Sequence, residues 1–324
     1  MDWGIPINES REIGMRVFVT GSASCVGSVL LPALCADDSI TEVTGIDIKG
    51  TKFSHPKFKS EKMDIRDPKV VDKMAGYNAV IHLAFTVQRK KLSLDQAHDA
   101  NVNGGINITN AAIKNGIQKF INLSSVSVYG GGDNLKEDDP ANPSKTFPYA
   151  QDKREFELFL NEHLPSAVNF RAHLIQGPNA KAFIKEMFFY PFYIKFKKNK
   201  KPRQQIVHES DVAEAIMLGL KNDVSGTFNL AAPEIITYGD DYIKQRINEG
   251  HKMMQLPFWL IRGVAPIMPY LDKRTEIHDL YTWIEMLDTN LNVNCDKARS
   301  VLGWIPKYTP NEARKDAMNS LRRK

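Results

Sequence analysis

The sequence has 324 residues, of which 42% are hydrophobic and 25% charged, with a formal net charge of +5. That length can bury a sizeable core as one large domain or two fused domains, and the composition is ordinary for a globular protein. The small positive charge does not indicate a nucleic-acid partner, and no stretch of about 18 apolar residues predicts a membrane-spanning helix. The start of the chain also lacks the apolar segment of a secretory signal peptide.

Cysteines are few, odd in number and without the spacing of metal ligands: Cys25, Cys35 and Cys295. We therefore expect reduced thiols in a cytoplasmic protein, with neither a disulfide framework nor a metal site. Cys25 has no His or Asp beside it in the sequence that would activate it as a nucleophile.

Residues 1–14 are predicted to form a loose extension before the first strand. The stretch that follows, 16–34, leads from a short apolar run through small residues into apolar positions at helical spacing: RVFVTGSASCVGSVLLPAL. This order predicts a strand, a tight loop and a helix, the first half of a βαβ unit. A helix that starts at such a loop presents unpaired N–H groups and its positive dipole end, which suits a pyrophosphate.

The loop carries part of the glycine pattern of dinucleotide-binding proteins. Gly21 and Gly27 fill the first and third glycine places, whereas Ser24 occupies the middle one. Ser24 either crowds a phosphate through its Cβ or offers its hydroxyl as an extra donor. Two glycines alone are equally compatible with an ordinary βα turn. If the loop binds a dinucleotide, its candidate contacts are Gly21, Ser24, Cys25, Val26 and Gly27.

An acidic residue follows the loop at the distance expected of a ribose ligand. The second strand is predicted over 41–49, TEVTGIDIK, with Asp47 near its end and Ile48 beside it. A carboxylate here would hydrogen-bond the ribose hydroxyls and repel a 2′-phosphate, which favours NAD over NADP. The positive charge of Lys49 nearby weakens that preference, so NADP stays the alternative. With Asp47 in place, dinucleotide binding becomes the better interpretation of the loop.

Two later strand ends supply further candidate cofactor contacts. In SEKMDIRD, Asp64 and the backbone of Ile65 would suit an adenine edge, although an Asp after a strand is often only a turn former or a helix cap. The continuous apolar run AVIHLAF predicts a central parallel strand buried on both faces. Its end, Leu83, Ala84 and Phe85, is then expected at the carboxyl edge of the sheet, where such folds bind ligands.

The chain continues with alternating strands and helices. His82, inside the apolar run, is predicted to be a satisfied core histidine rather than a catalyst. A helix is predicted over 101–112, a strand ending in hydroxyls over 119–128, and another helix from Pro148. This alternation predicts an α/β fold, a Rossmann-type doubly wound parallel sheet with right-handed crossovers.

The last part of the chain is predicted to form a smaller substrate-binding region. Its composition changes after a strand predicted over 168–175. We expect a Rossmann domain over 15–176 and a mainly substrate-binding region over 177–324. Within that region, residues at about 205–231 are predicted to form a helix and a strand that return to the Rossmann core.

Three side chains at one predicted edge form a candidate proton-transfer group. Tyr149 and Lys153 are four residues apart at the start of a helix, so they share a face. The Lys153 ammonium would lower the pKa of Tyr149, and it would also reach a cofactor ribose. Ser125, at a strand end, would donate to a substrate oxygen. A solvated helix face is the alternative, but the order of loop, acidic strand end, hydroxyls, Tyr and Lys favours catalysis.

Taken together, these motifs resemble the extended short-chain dehydrogenases/reductases of the NAD-dependent epimerase/dehydratase family. The resemblance runs nearly end to end, and its motifs are TGSASCVG (20–27), GIDIK (45–49), MDIRD (63–67), VIHLAF (80–85), NVNGGINITNAA (101–112), SSVSVYG (124–130), YAQDK (149–153), RAHLIQGP (171–178), VHESDVAEAI (207–216) and KARSVLGWIPKY (297–308). It implies an oxidoreductase that moves a hydride between a nicotinamide and a secondary alcohol or ketone. It also implies a homodimer.

The resemblance assigns roles by motif position. Ser125, Tyr149 and Lys153 would be catalytic, with Tyr149 as general acid/base. Besides the loop and strand-end residues, the cofactor would be lined by Asn101, Ser124, Tyr149, Lys153, Ala172, His173 and Leu174. The last three of these would approach the nicotinamide end.

The sequence departs from the family pattern in ways that bear on the substrate. Ala172 stands where the family usually has Pro, and the segment 178–207 is short. Nucleotide-sugar members generally have a longer insertion there that ends in an Arg-Asp pair, whereas this chain has Arg203, Gln204 and Gln205. A hydrophobic ketone or alcohol is therefore favoured as substrate. A sugar nucleotide, converted by a 4-epimerase, is the first alternative.

Two other functions are weighed against these. Dehydration is less favoured, since Val126 and Ser127 follow Ser125 where dehydratases of the family usually carry acidic residues. A non-catalytic dinucleotide-binding protein is the second alternative, and the intact set of Ser125, Tyr149 and Lys153 argues against it.

An aromatic run followed by basic residues occupies 182–203, AFIKEMFFYPFYIKFKKNKKPR. A core-packed helix and a solvated charged loop are favoured, because charge runs are usually solvated. The alternatives are a lid over a hydrophobic substrate, contact with an anionic membrane surface, and steering of an anionic substrate.

Overall fold

The computed structural model describes residues 14–87, 92–180, 192–195, 202–237, 254–257 and 288–322, with single positions between 247 and 286. The extension predicted over 1–14 lies outside them, apart from Gly14. The described strands are β1 (Met15–Thr20), β2 (Ile40–Asp47), β3 (Phe58–Lys62), β4 (Ala79–His82), β5 (Lys119–Ser125), β6 (Gly132–Leu135), β7 (Val168–Ala172), β8 (Leu174–Gln176), β9 (Phe192–Lys195), β10 (Arg203–Gln204), β11 (Ile206–His208), β12 (Gly226–Leu230), β13 (Ile236–Thr237), β14 (Met254–Pro257) and β15 (Leu291–Val293).

The described α-helices are α1 (Cys25–Ala36), α2 (Val70–Lys73), α3 (Leu94–His98), α4 (Gly104–Lys114), α5 (Pro148–His163), α6 (Glu209–Lys221), α7 (Asp296–Leu302) and α8 (Pro310–Arg322). A π-helical turn (Asp99–Asn103) leads into α4, and a 3₁₀ turn (Val126–Tyr129) follows β5. Among the helices described, none combines the length and the apolar character needed to span a lipid bilayer.

Seven of the strands form one parallel sheet in the order β12-β7-β5-β4-β1-β2-β3. The strand order reverses at β1, because the chain first builds outward through β2 and β3 and then returns to place β4 on the other side. The doubly wound parallel sheet predicted from the sequence is confirmed. Such a reversal opens a crevice at the carboxyl edge, here between β1 and β4, and ligands bind there in this class of sheet.

Both faces of the sheet are covered by helices, which explains why its central strands are continuously apolar. All four residues of β4 are buried, and in β1 the side chains of Phe18 and Val19 belong to different hydrophobic clusters. Leu30 of α1 packs with Val19, whereas Ile108 of α4 and Leu160 of α5 pack with Phe18. Because both faces of such a strand are buried, polar and apolar residues do not alternate along it.

The strand predicted over 119–128 ends earlier than its apolar pattern indicates. β5 stops at Ser125, whose hydroxyl accepts a hydrogen bond from the backbone N–H of Ser127 at 3.2 Å. This side-chain bond replaces a strand contact and starts the 3₁₀ turn. The turn directs Ser125 to the carboxyl edge.

The strand predicted over 168–175 is divided in two at His173. The imidazole Nδ1 accepts the backbone N–H of Leu174 at 2.7 Å, and the chain leaves the main sheet at this point. β7 pairs with β5 and β12 in the sheet, whereas β8 pairs with β11 outside it.

α6 anchors the C-terminal part of the chain. Asp211, buried in its first turn, accepts backbone hydrogen bonds from Lys307 at 2.9 Å and Tyr308 at 3.2 Å. The indole N–H of Trp304 donates to the Asp211 carbonyl at 2.8 Å, and the Trp304 ring is fully buried. Residues 304–308 are thereby fixed against the helix.

Replacing Asp211 with Ala should lower the free energy of unfolding by about 1–3 kcal/mol, because two backbone N–H groups lose their acceptor. Chemical denaturation followed by circular dichroism measures the change. Glu214→Ala on the same helix is the matched control. Its carboxylate pairs with Lys307 at 2.8 Å on the surface, and such pairs contribute at most about 1 kcal/mol. Equal losses in the two variants would contradict the anchoring role of Asp211.

Candidate active site

The glycine loop between β1 and α1 is packed closely against the end of β4. Gly21 has a φ of +69°, and a Cβ at this residue would lie 2.5 Å from the backbone nitrogen of Ala84. A Cβ on Gly27 would lie 2.5 Å from the carbonyl oxygen of Ser22. Both positions therefore require glycine, as the first and third places of a dinucleotide loop do.

Ser24, in the middle glycine place, caps the helix. Its backbone is extended, and its Oγ accepts the N–H of Gly27 at 3.0 Å. α1 starts at Cys25, and Val26 is buried in the core behind the loop. The Ser24 hydroxyl thus satisfies one of the N–H groups at the helix start and keeps its own hydrogen as a donor. A serine in this geometry is compatible with an anion at the loop.

Asp47 lies at the end of β2, beside the glycine loop. One carboxylate oxygen accepts the N–H of Ala23 at 3.0 Å, and the other accepts that of Lys49 at 2.8 Å. The neighbouring Ile48 side chain is exposed. The carboxylate is therefore fixed next to the loop, and each oxygen retains capacity for a further hydrogen bond.

The two residues predicted to flank adenine both have partners within the protein. Asp64 pairs with Arg66 at 2.6 Å, which holds the pKa of this carboxyl below its usual range. Asp64 also accepts the backbone N–H of Arg66 at 2.9 Å, so the turn-forming role considered as the alternative is present. Ile65 is buried, and its carbonyl accepts the side-chain amide of Asn107 at 2.7 Å.

The segment after β4 is tied to α5 by Asn101. The Asn101 side chain is buried, accepts the backbone N–H of Thr86 at 2.7 Å and donates to Asp152 at 2.9 Å. Asp152 in turn bonds the imidazole of His98 at 2.9 Å and raises the pKa of that ring. Asn101 thus orders the chain beyond Phe85.

Tyr149 lies at the start of α5, directly after Pro148 at the first helical position. Burial raises the pKa of its phenol to about 12, while its hydrogen bond with the Ser125 side chain acts in the opposite direction. Cys25 raises it slightly further, which puts the phenol within electrostatic reach of the glycine loop. The expectation of a lowered pKa for Tyr149 is therefore wrong for this structure, because burial of the phenol outweighs its hydrogen bond with Ser125.

Lys153, one turn further along α5, is 4% exposed. Its ammonium donates to the Leu123 carbonyl at 2.6 Å and lies 3.6 Å from the centre of the Phe85 ring. Burial lowers the pKa of Lys153 to about 7, against the raising effects of Glu157 and Asp152. The side chain therefore reaches the edge where β4 and β5 end.

A buried ionic network lies under the site. Ser124 donates to Glu157 at 2.5 Å, and Asn169 donates to the same carboxylate at 2.9 Å. Arg171 binds both oxygens of Glu157, at 3.1 Å through Nε and 2.8 Å through Nη2. The Ser124 hydroxyl, which was predicted to contact the cofactor, is thus hydrogen-bonded to Glu157 beneath the crevice.

Glu157 was not among the residues predicted from the sequence. A signal for it was present, because Tyr149, Lys153 and Glu157 follow one another at intervals of four and therefore lie on one helix face. Its partner Arg171 belongs to a quoted motif, but no local pattern links that residue to α5.

The three residues predicted to approach the nicotinamide end lie where β7 passes into β8. Ala172 is buried opposite Ser125, and His173 is buried with its Nε2 donating to the Leu291 carbonyl at 2.8 Å. Burial lowers the pKa of His173 to about 4, so the ring is neutral near pH 7. His173 therefore connects the sheet edge to β15, while Leu174 is half-buried beside it.

His82 forms part of a polar row that crosses the sheet. Thr20, His82, Asn122 and Asn169 are paired in register on neighbouring strands. The His82 Nδ1 bonds the Thr20 hydroxyl at 2.7 Å, whereas its Nε2 has no hydrogen-bond partner within the described part of the chain. Burial lowers the pKa of His82 to about 3. It is a neutral core histidine, as expected, but only half satisfied.

The residues at 203–205 are engaged within the protein. Gln204 donates to the Thr289 carbonyl at 2.5 Å, and Gln205 accepts the backbone N–H of Val293 at 2.8 Å. Arg203 pairs with Asp133 at 2.6 Å. The interpretations of 182–203 as a packed helix, lid or membrane contact concern residues that lie mostly outside the described chain.

A family model described as the NAD dependent epimerase/dehydratase family matches residues 17–231. The chain belongs to this family. The membership predicted from the sequence motifs is thus confirmed, and the match includes the glycine loop, Ser125, Tyr149 and Lys153.

Two curated relatives each align with slightly less than half of this family member. A UDP-glucose 4-epimerase from Mycolicibacterium smegmatis is 33% identical over 161 residues, covering 45% of this chain and 50% of that protein. A dTDP-glucose 4,6-dehydratase from Streptomyces griseus is 29% identical over 163 residues, covering 46% of this chain and 49% of that protein. The alignments span about half the length of these relatives.

Solved structures of the family share the fold over nearly the whole chain. The dTDP-glucose 4,6-dehydratase DesIV from Streptomyces venezuelae, with NAD and TYD bound, has a TM-score of 0.75 at 17% identity. The match covers 95% of this chain and 97% of that one. At this identity the likeness demonstrates a shared architecture.

The stability of this epimerase/dehydratase family member should fall as the pH drops from about 6.5 toward 4. His82 and His173 have lowered pKa values, about 3 and about 4, so the unfolded chain binds protons in this window that the folded chain does not. Each contributes a slope of at most about 1.4 kcal/mol per pH unit. His98 has a raised pKa, so its contribution to stability changes only above about pH 6.5 and leaves the slope in this window unaffected.

Urea denaturation at a series of pH values measures this slope. His82→Asn and His173→Asn should each flatten it, whereas His163→Asn, at an exposed position on α5, is the matched control. An unchanged slope in both buried-histidine variants would contradict the prediction.

Proposed function

We propose that this chain is an NAD-dependent oxidoreductase that transfers a hydride at a secondary alcohol or ketone carbon, with Tyr149 as general acid/base. The observation that carries the proposal is a convergence of three elements at the carboxyl edge. The phenol of Tyr149 is bonded to Ser125, Lys153 lies one turn away, and Cys25, at the start of α1, is within electrostatic reach. Membership of an NAD-dependent family supports it.

The residues of the crevice fit a dinucleotide. Gly21 and Gly27, where a Cβ would collide with backbone, together with the start of α1, suit a pyrophosphate. Asp47 would hold the adenosine ribose, and Leu83–Phe85 would line the path toward Ala172–Leu174. When bound, NAD would supply the nicotinamide carbon that accepts or donates the hydride.

Four further residues would contribute around this path. Asp64 and Ile65 would flank the adenine, with Arg66 holding the Asp64 carboxylate in place. Asn101 would act by ordering the segment after β4, and Ser124 by supporting the end of β5 through its bond to the buried carboxylate.

Tyr149 would exchange a proton with the substrate oxygen while the hydride moves at the adjoining carbon. Its raised pKa keeps the phenol protonated at neutral pH, which suits donation to a carbonyl. Removing a proton from an alcohol requires the phenolate, and a buried phenolate needs a neighbouring cation. We assign that part to Lys153. Ser125 would hold the substrate oxygen by donating a hydrogen bond to it.

A nucleotide sugar is the substrate class we propose first. It is supported by the relatives, which are named as a UDP-glucose 4-epimerase and a dTDP-glucose 4,6-dehydratase. A hydrophobic ketone or alcohol is the second candidate, favoured by the engagement of Arg203, Gln204 and Gln205 within the protein. Incubation with each class and NAD or NADP, followed by nicotinamide absorbance and product chromatography, separates the two.

The homodimer expected from the family resemblance stays a prediction. Apolar side chains are exposed on two of the described helices that pack on one face of the sheet, Ile113 on α4 and Leu158 on α5. A pairing of these helices between two copies would cover them.

Tyr149→Phe should reduce turnover by about 100-fold or more while NAD binding persists, because the variant keeps the ring and loses only the proton-transfer group. Calorimetric NAD titration and product formation are measured on the same preparation. Tyr77→Phe, at the amino edge of the sheet before β4, is the matched control. Full activity in Tyr149→Phe would instead assign the proton transfer to a different group. Nucleotide binding without turnover of any substrate by the unmodified chain would support the non-catalytic dinucleotide-binding alternative.

Asp47→Ala should weaken NAD binding by roughly 10- to 100-fold, the effect of losing a charged hydrogen bond, and should weaken NADP binding less. A carboxylate at this place accepts from the NAD ribose and repels a 2′-phosphate. Binding constants for both nucleotides are compared, with Asp67→Ala as the control. Equal losses for the two nucleotides would show that Asp47 does not face the ribose.

A further inference from the structure

The ammonium of Lys153 rests on the face of the Phe85 ring. The Lys153 Nζ lies 3.6 Å from the ring centre, well within the distance of about 6 Å at which a cation is attracted to an aromatic face. The Phe85 ring also meets the ring of Tyr149 edge-on, with centres 5.5 Å apart and planes at 90°. One aromatic ring therefore contacts both side chains to which the proton chemistry is assigned.

The surroundings of Lys153 make this contact important for its charge. The side chain is buried, and the Leu123 carbonyl accepts from its ammonium at 2.6 Å. The titratable groups that act on it are Asp152 and Glu157 from α5 and His82 from β4. His82 is neutral near pH 7, so it does not add a second positive charge.

Both carboxylates near Lys153 are bound to other cationic or imidazole groups. Glu157 pairs with Arg171 at 2.8 Å, and Asp152 bonds His98 at 2.9 Å. Their attraction for the Lys153 ammonium is therefore shared with these partners. Within the described part of the chain, its direct contacts are the Phe85 ring face and the Leu123 carbonyl.

We propose that Phe85 is a positioning residue, which holds the Lys153 ammonium at the edge of the crevice and favours its charged form. A buried ammonium has lost its hydration, and the negative face of the aromatic ring compensates for part of that loss. The catalytic meaning of the contact, a cation kept within reach of the Tyr149 phenol, rests on the proposed function. The effect of the ring on Lys153 itself does not.

The proton equilibrium of Lys153 in the full chain, without added nucleotide, tests the proposal. Lysine labelled with ¹³C at Cε reports each side chain by NMR, and Lys153→Met assigns the signal. That signal should titrate near pH 7, whereas ordinary lysines titrate near about 10.4. In Phe85→Leu we expect the Lys153 pKa to fall by about one unit, a roughly tenfold weaker proton affinity.

Variants at the same position separate the ring face from simple packing. Phe85→Trp keeps an aromatic face and should retain the titration of the unmodified chain. Phe85→Met is a second aliphatic variant, which answers the question if Phe85→Leu fails to fold. Phe147→Leu is the matched control, because the Phe147 ring also lies 5.5 Å from that of Tyr149, and it should leave Lys153 unchanged.

An unchanged Lys153 pKa in the aliphatic variants would overturn the proposal. So would an equal fall in Phe85→Leu and Phe85→Trp, since that result would assign the effect to packing. In the turnover assay, the alkaline fall of kcat should move to lower pH by the same unit in Phe85→Leu. Failure here is distinguishable from failure of the proposed function, because the NMR titration uses neither nucleotide nor substrate.

Discussion

The buried ion pair between Glu157 and Arg171 is the contact on which the geometry of the crevice depends. Its side chains are 0% and 5% exposed, so both charges have lost nearly all their hydration. Good geometry and additional hydrogen bonds must offset that cost, and Ser124 and Asn169 supply them from β5 and β7. The pair thereby fixes the rotation of α5 on the sheet. Tyr149 lies two turns before Glu157 on the same face, so this rotation also directs the phenol.

Phe85, in the segment that follows β4, contacts α5 through Lys153 and Tyr149. The backbone of Ala84 packs against Gly21, and Asn101 holds the chain immediately after Phe85. The glycine loop, the end of β4 and the first two turns of α5 are therefore mutually constrained. Catalysis requires the cofactor and the proton donor to be held in position to within a fraction of an ångström. The mutual constraint of these three segments supplies the rigidity for that positioning.

The fold was largely predictable because its signals are local. Alternating strands and helices, and the uninterrupted apolar run that ends at Phe85, determine a doubly wound sheet. The early end of β5 was not predictable, because Ser125 leaves the strand through a bond to its own backbone neighbour while the residues beyond it remain apolar. The turn at His173 likewise depends on a side chain that bonds the adjacent N–H.

The spacing of the candidate site residues was readable from the sequence, but their electrostatics were not. Spacing alone places Tyr149 and Lys153 on one helix face, but the pKa of each follows from burial, which requires the packed structure. Glu157 was recoverable from the repeated interval of four residues. The contact between Lys153 and Phe85 joins α5 to the end of β4, and no sequence pattern reports a contact across that distance.

The contact between β15 and His173 joins distant parts of the chain, which has a consequence for how the protein folds during synthesis. The Leu291 carbonyl is the acceptor for the His173 ring, 118 residues earlier in the chain, and β12 completes the sheet beside β7 only at Gly226–Leu230. During synthesis, the strands that bear the crevice therefore leave the ribosome well before their last edge partner and the acceptor for a buried imidazole exist. The nascent half-sheet exposes an unpaired strand edge throughout that interval, which makes it a natural client for chaperones and a poor candidate for expression as an isolated nucleotide-binding fragment.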